Sequence, residues 1–248
     1  MTGELRVFAL EGIPEIEEGD ELAALIADAA DRAGGLEDAD VVVVAQKIVS
    51  KAEGRVVRID DVEPTARARE LAGDERDARH VQVVLDESAR VVRSRPPLLI
   101  AETRHGFVCA SAGVDASNAK GPGTLVLLPV DPDASAVRIR DGLRERSGRD
   151  VGVVVSDSFG RAWRQGTTDV ALGVAGIEGL RDLRGTRDAA GYVLQGTQIA
   201  VADELAGAAE LVLGKTSGCP VAVVRGLDVR GAGSGRDLVM PPERDLFR

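Results

Sequence analysis

Three stretches of this chain end an apolar run in small, polar and charged residues. The first is Gln46-Lys47-Ile48-Val49-Ser50-Lys51-Ala52-Glu53-Gly54, behind a run of valines. Two ammonium groups and a hydroxyl at a strand end suit phosphate oxygens, although a solvated turn can have the same composition. The second is Ala112-Gly113-Val114-Asp115-Ala116-Ser117-Asn118. Asp115 and Asn118 lie three apart, so on one helical turn they would share a face. A carboxylate suits a hard cation, and an amide suits a phosphate or a sugar. Asp, Ser and Asn are equally ordinary in caps and turns. The third is Val153-Val154-Val155-Ser156-Asp157-Ser158-Phe159-Gly160-Arg161-Ala162-Trp163-Arg164-Gln165-Gly166. Asp157, at the end of a valine strand, is placed for Mg2+, which usually takes one or two protein carboxylates and fills its octahedron with phosphates and water. Asp115 with Asp157 would supply two. Arg161 and Arg164 can grip carboxylate or phosphate oxygens in bidentate fashion; the alternative makes Trp163 a core anchor and pairs both arginines with surface acids. His105, on an expected hairpin turn, is a weaker candidate for a base. Together these residues point to an enzyme that holds a metal–nucleotide complex, and they do not reach a substrate.

Two further motifs are rejected. Gly214-Lys215-Thr216 resembles the end of a P-loop, but position 209 is Ala209 where that loop needs Gly, and the tripeptide follows a helix and precedes a strand, the reverse of a P-loop. Gly231-Ala232-Gly233-Ser234-Gly235 has no strand before it and is no dinucleotide fingerprint.

The elements that must position these residues follow from composition and period. At 248 residues with 44% hydrophobic content the chain can bury a real core, and with 2% aromatics that core must be aliphatic. So few aromatics leave no stacking platform for single-stranded nucleic acid, and a net charge of -10 argues against nucleic-acid or anionic-membrane partners. Basic residues are nearly all Arg, a compositional bias; Lys occurs only at Lys47, Lys51, Lys120 and Lys215. Cys109 and Cys219 have no zinc spacing and read as free buried thiols, and His80 and His105 cannot build a His-rich metal site. With no apolar run of membrane-span length and no signal-peptide core, a cytoplasmic protein is expected.

Strands are expected over 5–10, 41–44, 55–59, 125–128, 151–155, 170–174 and 221–224. Asp20 is the expected cap of a helix ending at Gly34-Gly35. Further helices are expected over 63–71, 76–90, 131–143 and 196–213, and a hairpin over 98–111. The tail from Gly231 is expected to be extended or mobile. Strands and helices mix without strict alternation, so the expected fold class is α+β with mixed sheets and packed helices, in one catalytic unit.

Several of these stretches stand in a familiar order: Gly12-Ile13-Pro14-Glu15-Ile16, residues 46–54, C-A-S-A-G-V-D-A-S-N at 109–118, L-L-P-V-D-P-D-A-S-A at 127–136, S-D-S-F-G-R-A-W-R at 156–164, and A-D-E-L-A-G-A-A-E-L-V at 202–212. The chain resembles the coenzyme F420-0:L-glutamate ligase family, the F420 gamma-glutamyl ligases, from about residue 8 to about residue 226. The resemblance implies that family's own α+β fold with two interleaved subdomains, a homodimer, and GTP bound in a groove partly shared between subunits. It implies a GTP-dependent ligase that adds L-glutamate to F420-0 through an acyl phosphate, and then further gamma-linked glutamates. The implied ions are Mg2+ or Mn2+ at two sites, and K+ as a further ion. Carried over by motif, Asp115 and Asp157 hold one metal and Ser158 contacts a second. Ile13, Pro14, Glu15, Ile16, Gln46, Lys51 and Asn118 contact GTP. Relatives often have Gln or an acid where this chain has Lys215, so Lys215 is assigned only a phosphate contact. Arg161 and Arg164 are taken as binders of the acceptor's phosphodiester or the incoming carboxylates. Some relatives carry a further flavin-binding, nitroreductase-like domain after this one; this chain ends at Arg248 and is expected to lack its redox activity. A metal-dependent nucleotide phosphohydrolase and a non-catalytic nucleotide-binding module are the competing classes for the same residues.

Overall fold

Valine dominates the centre of the molecule, and a strand of consecutive valines has to be covered on both faces. The computed structural model describes residues 3–246. In chain order these form β1 (Arg6–Ala9), α1 (Leu22–Arg32), β2 (Val41–Ala45), α2 (Gln46–Ala52), β3 (Val56–Arg58), α3 (Ala66–Ala72), α4 (Ala78–Asp86), β4 (Ser88–Arg95), β5 (Leu98–Thr103), β6 (Val108–Ala110), β7 (Thr124–Val126), α5 (Pro132–Ser147), β8 (Gly152–Arg161), β9 (Arg164–Ala175), β10 (Arg181–Asp182), β11 (Gln198–Ile199), α6 (Val201–Leu213) and β12 (Val221–Arg225), with short 3-10 turns between some of them.

The main sheet runs β1-β12-β2-β8-β9. Its central pair, β2 and β8, is parallel and in register from Val41↔Gly152 to Ala45↔Ser156, and the other pairs are antiparallel. The period of two then sorts the valines. Val42, Val44, Val153, Val155, Val221 and Val223 pack with α1 and α5. Val41, Val43, Val154, Val174 and Val224 pack on the other face against Val201, Leu205, Ala206 and Ala209 of α6. A third core lies between α3, α4, β5 and β7, with Ala68, Val81, Val84, Leu99, Leu125 and Leu127 buried in it. Around it stand the three-stranded sheet β4-β5-β6 and the ribbon β3-β7. The expected α+β class with mixed sheets is the observed class.

Several boundaries differ from expectation for local reasons. The stretch after β2 is no turn: α2 starts at Gln46 directly behind Ala45. The expected helix over 76–90 ends at Asp86, and from Ser88 the chain pairs with β5 instead. Asp20 does not cap α1, whose N-cap is Glu21; the Asp20 carboxylate accepts the Glu17 N–H at 2.8 Å. The helix expected over 196–213 starts at Val201, because Gln198 and Ile199 pair with β10. The third stretch is a hairpin rather than a strand end: β8 runs on to Arg161 and returns as β9.

The tail is folded back where it was expected to be extended or mobile. Ser234 and Asp237 form a capping box, and Asp133 at the start of α5 accepts from Ser234 Oγ at 2.7 Å and from the Gly235 N–H at 2.7 Å. Gly235 is required by contact, since a Cβ there would stand 2.2 Å from the Leu172 carbonyl oxygen. A second such contact seats α5 on β9: a Cβ at Gly173 would lie 2.1 Å from the Pro132 carbonyl oxygen. Backbone cannot yield as a flexible side chain does, so Gly173→Ala should lower the unfolding free energy by about 3 kcal/mol or more. Urea denaturation measures this; an unchanged midpoint would mean that α5 is not held against β9 in this way.

Candidate functional site

The sheet brings the ends of β1 and β2, the start of β12 and the middle of β8 together. Ala9 at the end of β1 pairs with Ala222 near the start of β12, Val221 pairs with Val44, and Ala45 pairs with Ser156. A cleft of about 690 Å³ opens where they meet. Ile13, Pro14, Glu15 and Ile16 wall it after β1; Gln46, Lys47 and Lys51 come from α2; Ser156, Asp157 and Ser158 come from β8. The rest of the lining is Asn118 and Lys120, Asp169 of β9, Glu210 of α6, and the loop 214–220 that leads into β12. Ligand sites at the carboxyl ends of parallel strands are a general outcome of open α/β sheets.

All four lysines of the chain line this one cleft. In a protein of net charge -10 that otherwise uses arginine, this gathers compact, mobile positive charge in one place, as phosphate oxygens require. Three of the four are held by acids. Lys47 donates to Asp115 Oδ2 at 2.7 Å and to Ser117 Oγ at 3.1 Å, Lys51 pairs with Glu15, and Lys120 with Glu17.

Each expected site residue has a definite place. Asp115 and Asn118 share no helical face: Asp115 forms an isolated bridge with Val126, and Asn118 sits in a turn at a φ of 53°. Ser117 closes back on Asp115 through its N–H (2.7 Å) and its hydroxyl (2.8 Å). Burial opposes the charge on Asp115, but Lys47 and Ser117 outweigh it and hold the pKa below the usual carboxylate range. Gln46 is buried, and its amide donates to Leu127 O at 2.8 Å and to Ser50, so it braces α2 from beneath the cleft.

Asp157 is the chemically loaded group. Burial pushes its carboxyl up to about 6, with Asp169 adding to the rise; Lys47, the Ser158 N–H and Lys215 act in the opposite direction. It has no ion pair within 4.0 Å among the described residues. Asp169 and Glu210 were not anticipated: Asp169 lies in none of the quoted stretches, and Glu210 stands in the 202–212 stretch without a role having been assigned to it. The buried Asp169 accepts Ser156 Oγ at 3.0 Å and Ser158 Oγ at 2.6 Å, and its own N–H donates to Glu210 Oε2 at 3.0 Å.

Arg161 and Arg164 do not stand at the cleft of their own chain. They face each other across the tip of the β8–β9 hairpin, both exposed. Trp163 between them is no core anchor, being 81% exposed at a φ of 57°. His105 is also outside the cleft. Its Nε2 lies 2.9 Å from Pro129 O and 3.1 Å from Val130 O. Carbonyls only accept, so Nε2 is placed to donate, and His105 hooks onto the backbone at Pro129 and Val130 away from the cleft. Cys109 is buried as expected, whereas Cys219 is partly exposed and lines the cleft.

Among the described residues no three His, Cys, Asp or Glu side chains stand together as a metal cage. A magnesium-type ion needs none: one or two carboxylates suffice when phosphates supply the other oxygens. Asp157, a half-buried carboxylate lining the cleft without an ion pair among the described residues, fits such an ion. No helix of the described residues is long and apolar enough to cross a membrane.

A strand-edge cleft that gathers ammonium groups around a half-buried carboxylate is suited to a polyanionic small molecule. Residues 12–226 match the model of the F420-0:gamma-glutamyl ligase family. The coenzyme F420:L-glutamate ligase of Methanothermobacter thermautotrophicus is 41% identical over 98% of this chain and 99% of its own length. Those of Methanopyrus kandleri (43% identical, 99% and 100% covered) and Methanocaldococcus jannaschii (45%, 86% and 86%) are similar as well. The chain belongs to the F420-0:gamma-glutamyl ligase family.

A buried charge costs stability. Above pH about 6 the Asp157 carboxylate is ionised in the folded protein and its burial penalty is complete. As the pH falls through 6 the folded state takes up the proton first, and near the ordinary value of 3.8 the penalty is gone. Asp157→Asn should therefore raise the melting temperature of the metal-free protein at pH 7 to 8, and the gain should fade by about pH 4. Melting curves across that range test this; a loss of stability at neutral pH would show that the carboxylate is satisfied by its neighbours.

Proposed function

We propose that this chain joins L-glutamate to coenzyme F420-0, and then extends the product by gamma-linked glutamates, at the expense of GTP. The observation that carries the reading is the meeting of Lys47, Lys51, Lys120 and Lys215 with Asp157 in one cleft. The names of relatives 41–45% identical to this chain supply the acceptor and the amino acid.

A carboxylate does not condense with an amine at neutral pH. On this reading a carboxylate oxygen of the acceptor takes the γ-phosphoryl group of GTP, releasing GDP. The glutamate nitrogen then attacks the carbonyl carbon, loses a proton, and inorganic phosphate leaves. Phosphoryl transfer asks the protein for alignment and positive charge more than for covalent help. Lys47, Lys51 and Lys215 provide charge along the phosphates. Asn118 and the segment Ile13, Pro14, Glu15 and Ile16 contact the rest of the nucleotide, and Gln46 supports that wall. Asp157 would hold Mg2+ or Mn2+, with Asp115 and the Ser158 hydroxyl as further donors; such an ion neutralises phosphate charge. K+ is the remaining ion of the reading. The reading includes a homodimer and a division into two interleaved subdomains. Arg161 and Arg164, remote from their own cleft, then serve the acceptor from a partner's side.

Mass spectrometry of F420-0 incubated with the protein, GTP, Mg2+ or Mn2+ and L-glutamate tests the proposal. Successive additions of glutamate residues, with one GDP formed for each, are expected. Cleavage of GTP that needs neither F420-0 nor glutamate would make the protein a phosphohydrolase; binding without turnover would make it a nucleotide-binding module. Asp157→Asn should cut amide formation by about 10²-fold or more in a protein that still folds.

A further inference from the structure

The surroundings of Ser158 do not fit the second divalent ion that the resemblance implies. Ser158 offers a single neutral oxygen, and its proton is given to Asp169 at 2.6 Å. Asp169 also takes the Ser156 hydroxyl, so each of its oxygens already accepts a hydroxyl, and Glu210 accepts the Asp169 N–H on Oε2. Lys215 lines the same space. It is the one cleft lysine without an ion pair among the described residues, since Asp115, Glu15 and Glu17 hold the other three. It is exposed, on the loop behind α6, and its charge is felt at Asp157. An ammonium group and a divalent ion crowded into this space repel each other.

We infer that Lys215 takes the place of a second divalent ion: the cleft binds one Mg2+ or Mn2+ per chain, and Lys215 supplies the second positive charge to the terminal phosphates of a nucleoside triphosphate. The inference rests on the nucleotide reading of the cleft. It makes Lys215 a binding residue whose charge, rather than its shape, is required.

The full chain is saturated with the β,γ-imido analogue of GTP, Mn2+ is titrated in, and bound ion is counted by electron paramagnetic resonance. One Mn2+ per chain is expected. At saturating Mn2+, Lys215→Gln should weaken binding of the analogue about ten- to a hundredfold, the range for a lost hydrogen bond to a charged group. Lys215→Arg, which keeps the charge, should recover most of that loss. Lys215 is exposed, so both variants should melt like the parent. Two Mn2+ per chain, or unchanged analogue affinity in Lys215→Gln, overturns the inference and leaves the nucleotide reading standing. A chain that binds neither Mn2+ nor the analogue removes both.

Discussion

The structure depends on one parallel contact, β2 against β8, in register through Ala45↔Ser156. That register puts the first turn of α2 beside Ser156, Asp157 and Ser158. It therefore brings two of the three chemically suggestive stretches together, although more than a hundred residues separate them in the chain. Valines make the contact possible. Each strand is buried on both faces, so slipping the register by one residue would turn every valine to the opposite layer without exposing a polar one. The helices break that symmetry. α1 and α5 fill one layer and α6 the other, and Gly173 lets α5 come down on β9 where no side chain would fit.

The electrostatics of the cleft follow from this geometry. Asp157 leaves a valine strand at the rim of the core, so burial raises its pKa. Asp115 reaches the same region from the third core, but it arrives with Lys47 and Ser117 bound and its pKa is lowered. Asp157, which lines the cleft, and Asp115, which stands behind Lys47, are thus pushed in opposite directions by their surroundings. Such separation is common where a site must hold one carboxylate as a fixed charge and leave another ready for a ligand.

Much of this was legible in the sequence. Valine runs marked the central strands, and the period of α1, α5 and α6 marked the helices that cover them. The scarcity of lysine was read as compositional bias, and only the fold shows that Lys47, Lys51, Lys120 and Lys215 meet at one cleft. What was missed was set by tertiary contact. Nothing local separates Gln46–Ala52 as a helix from a turn, because its stability comes from Gln46, Ile48, Val49 and Ser50 being buried. Asp169 belongs to none of the quoted stretches and Glu210 sits in one that suggested only a helix; they matter because β9 folds back on β8 and the Asp169 N–H meets Glu210 of α6. Arg161 and Arg164 were drawn to the site by nearness in sequence to Asp157, but in a strand a few residues carry a side chain well away from the cleft.

The ion pairs of the cleft differ in what it costs to exchange them. Lys51 and Lys120 are held by Glu15 and Glu17, whose side chains are 58% and 66% exposed. Pairs with so exposed an acid contribute little, because water and salt compete for both partners. A polyanion entering the cleft can take over these lysines at small cost while the glutamates turn to solvent. Lys47 differs in its partners rather than in its cover: Asp115 and Ser117 both bind it, whereas Lys51, equally covered, has Glu15 alone. Breaking the Lys47 pair would leave a covered ammonium group without its carboxylate. Lys51 and Lys120, each held by one exposed glutamate, are therefore exchanged more readily than Lys47, an arrangement that lets a ligand bind by replacing protein carboxylates one at a time.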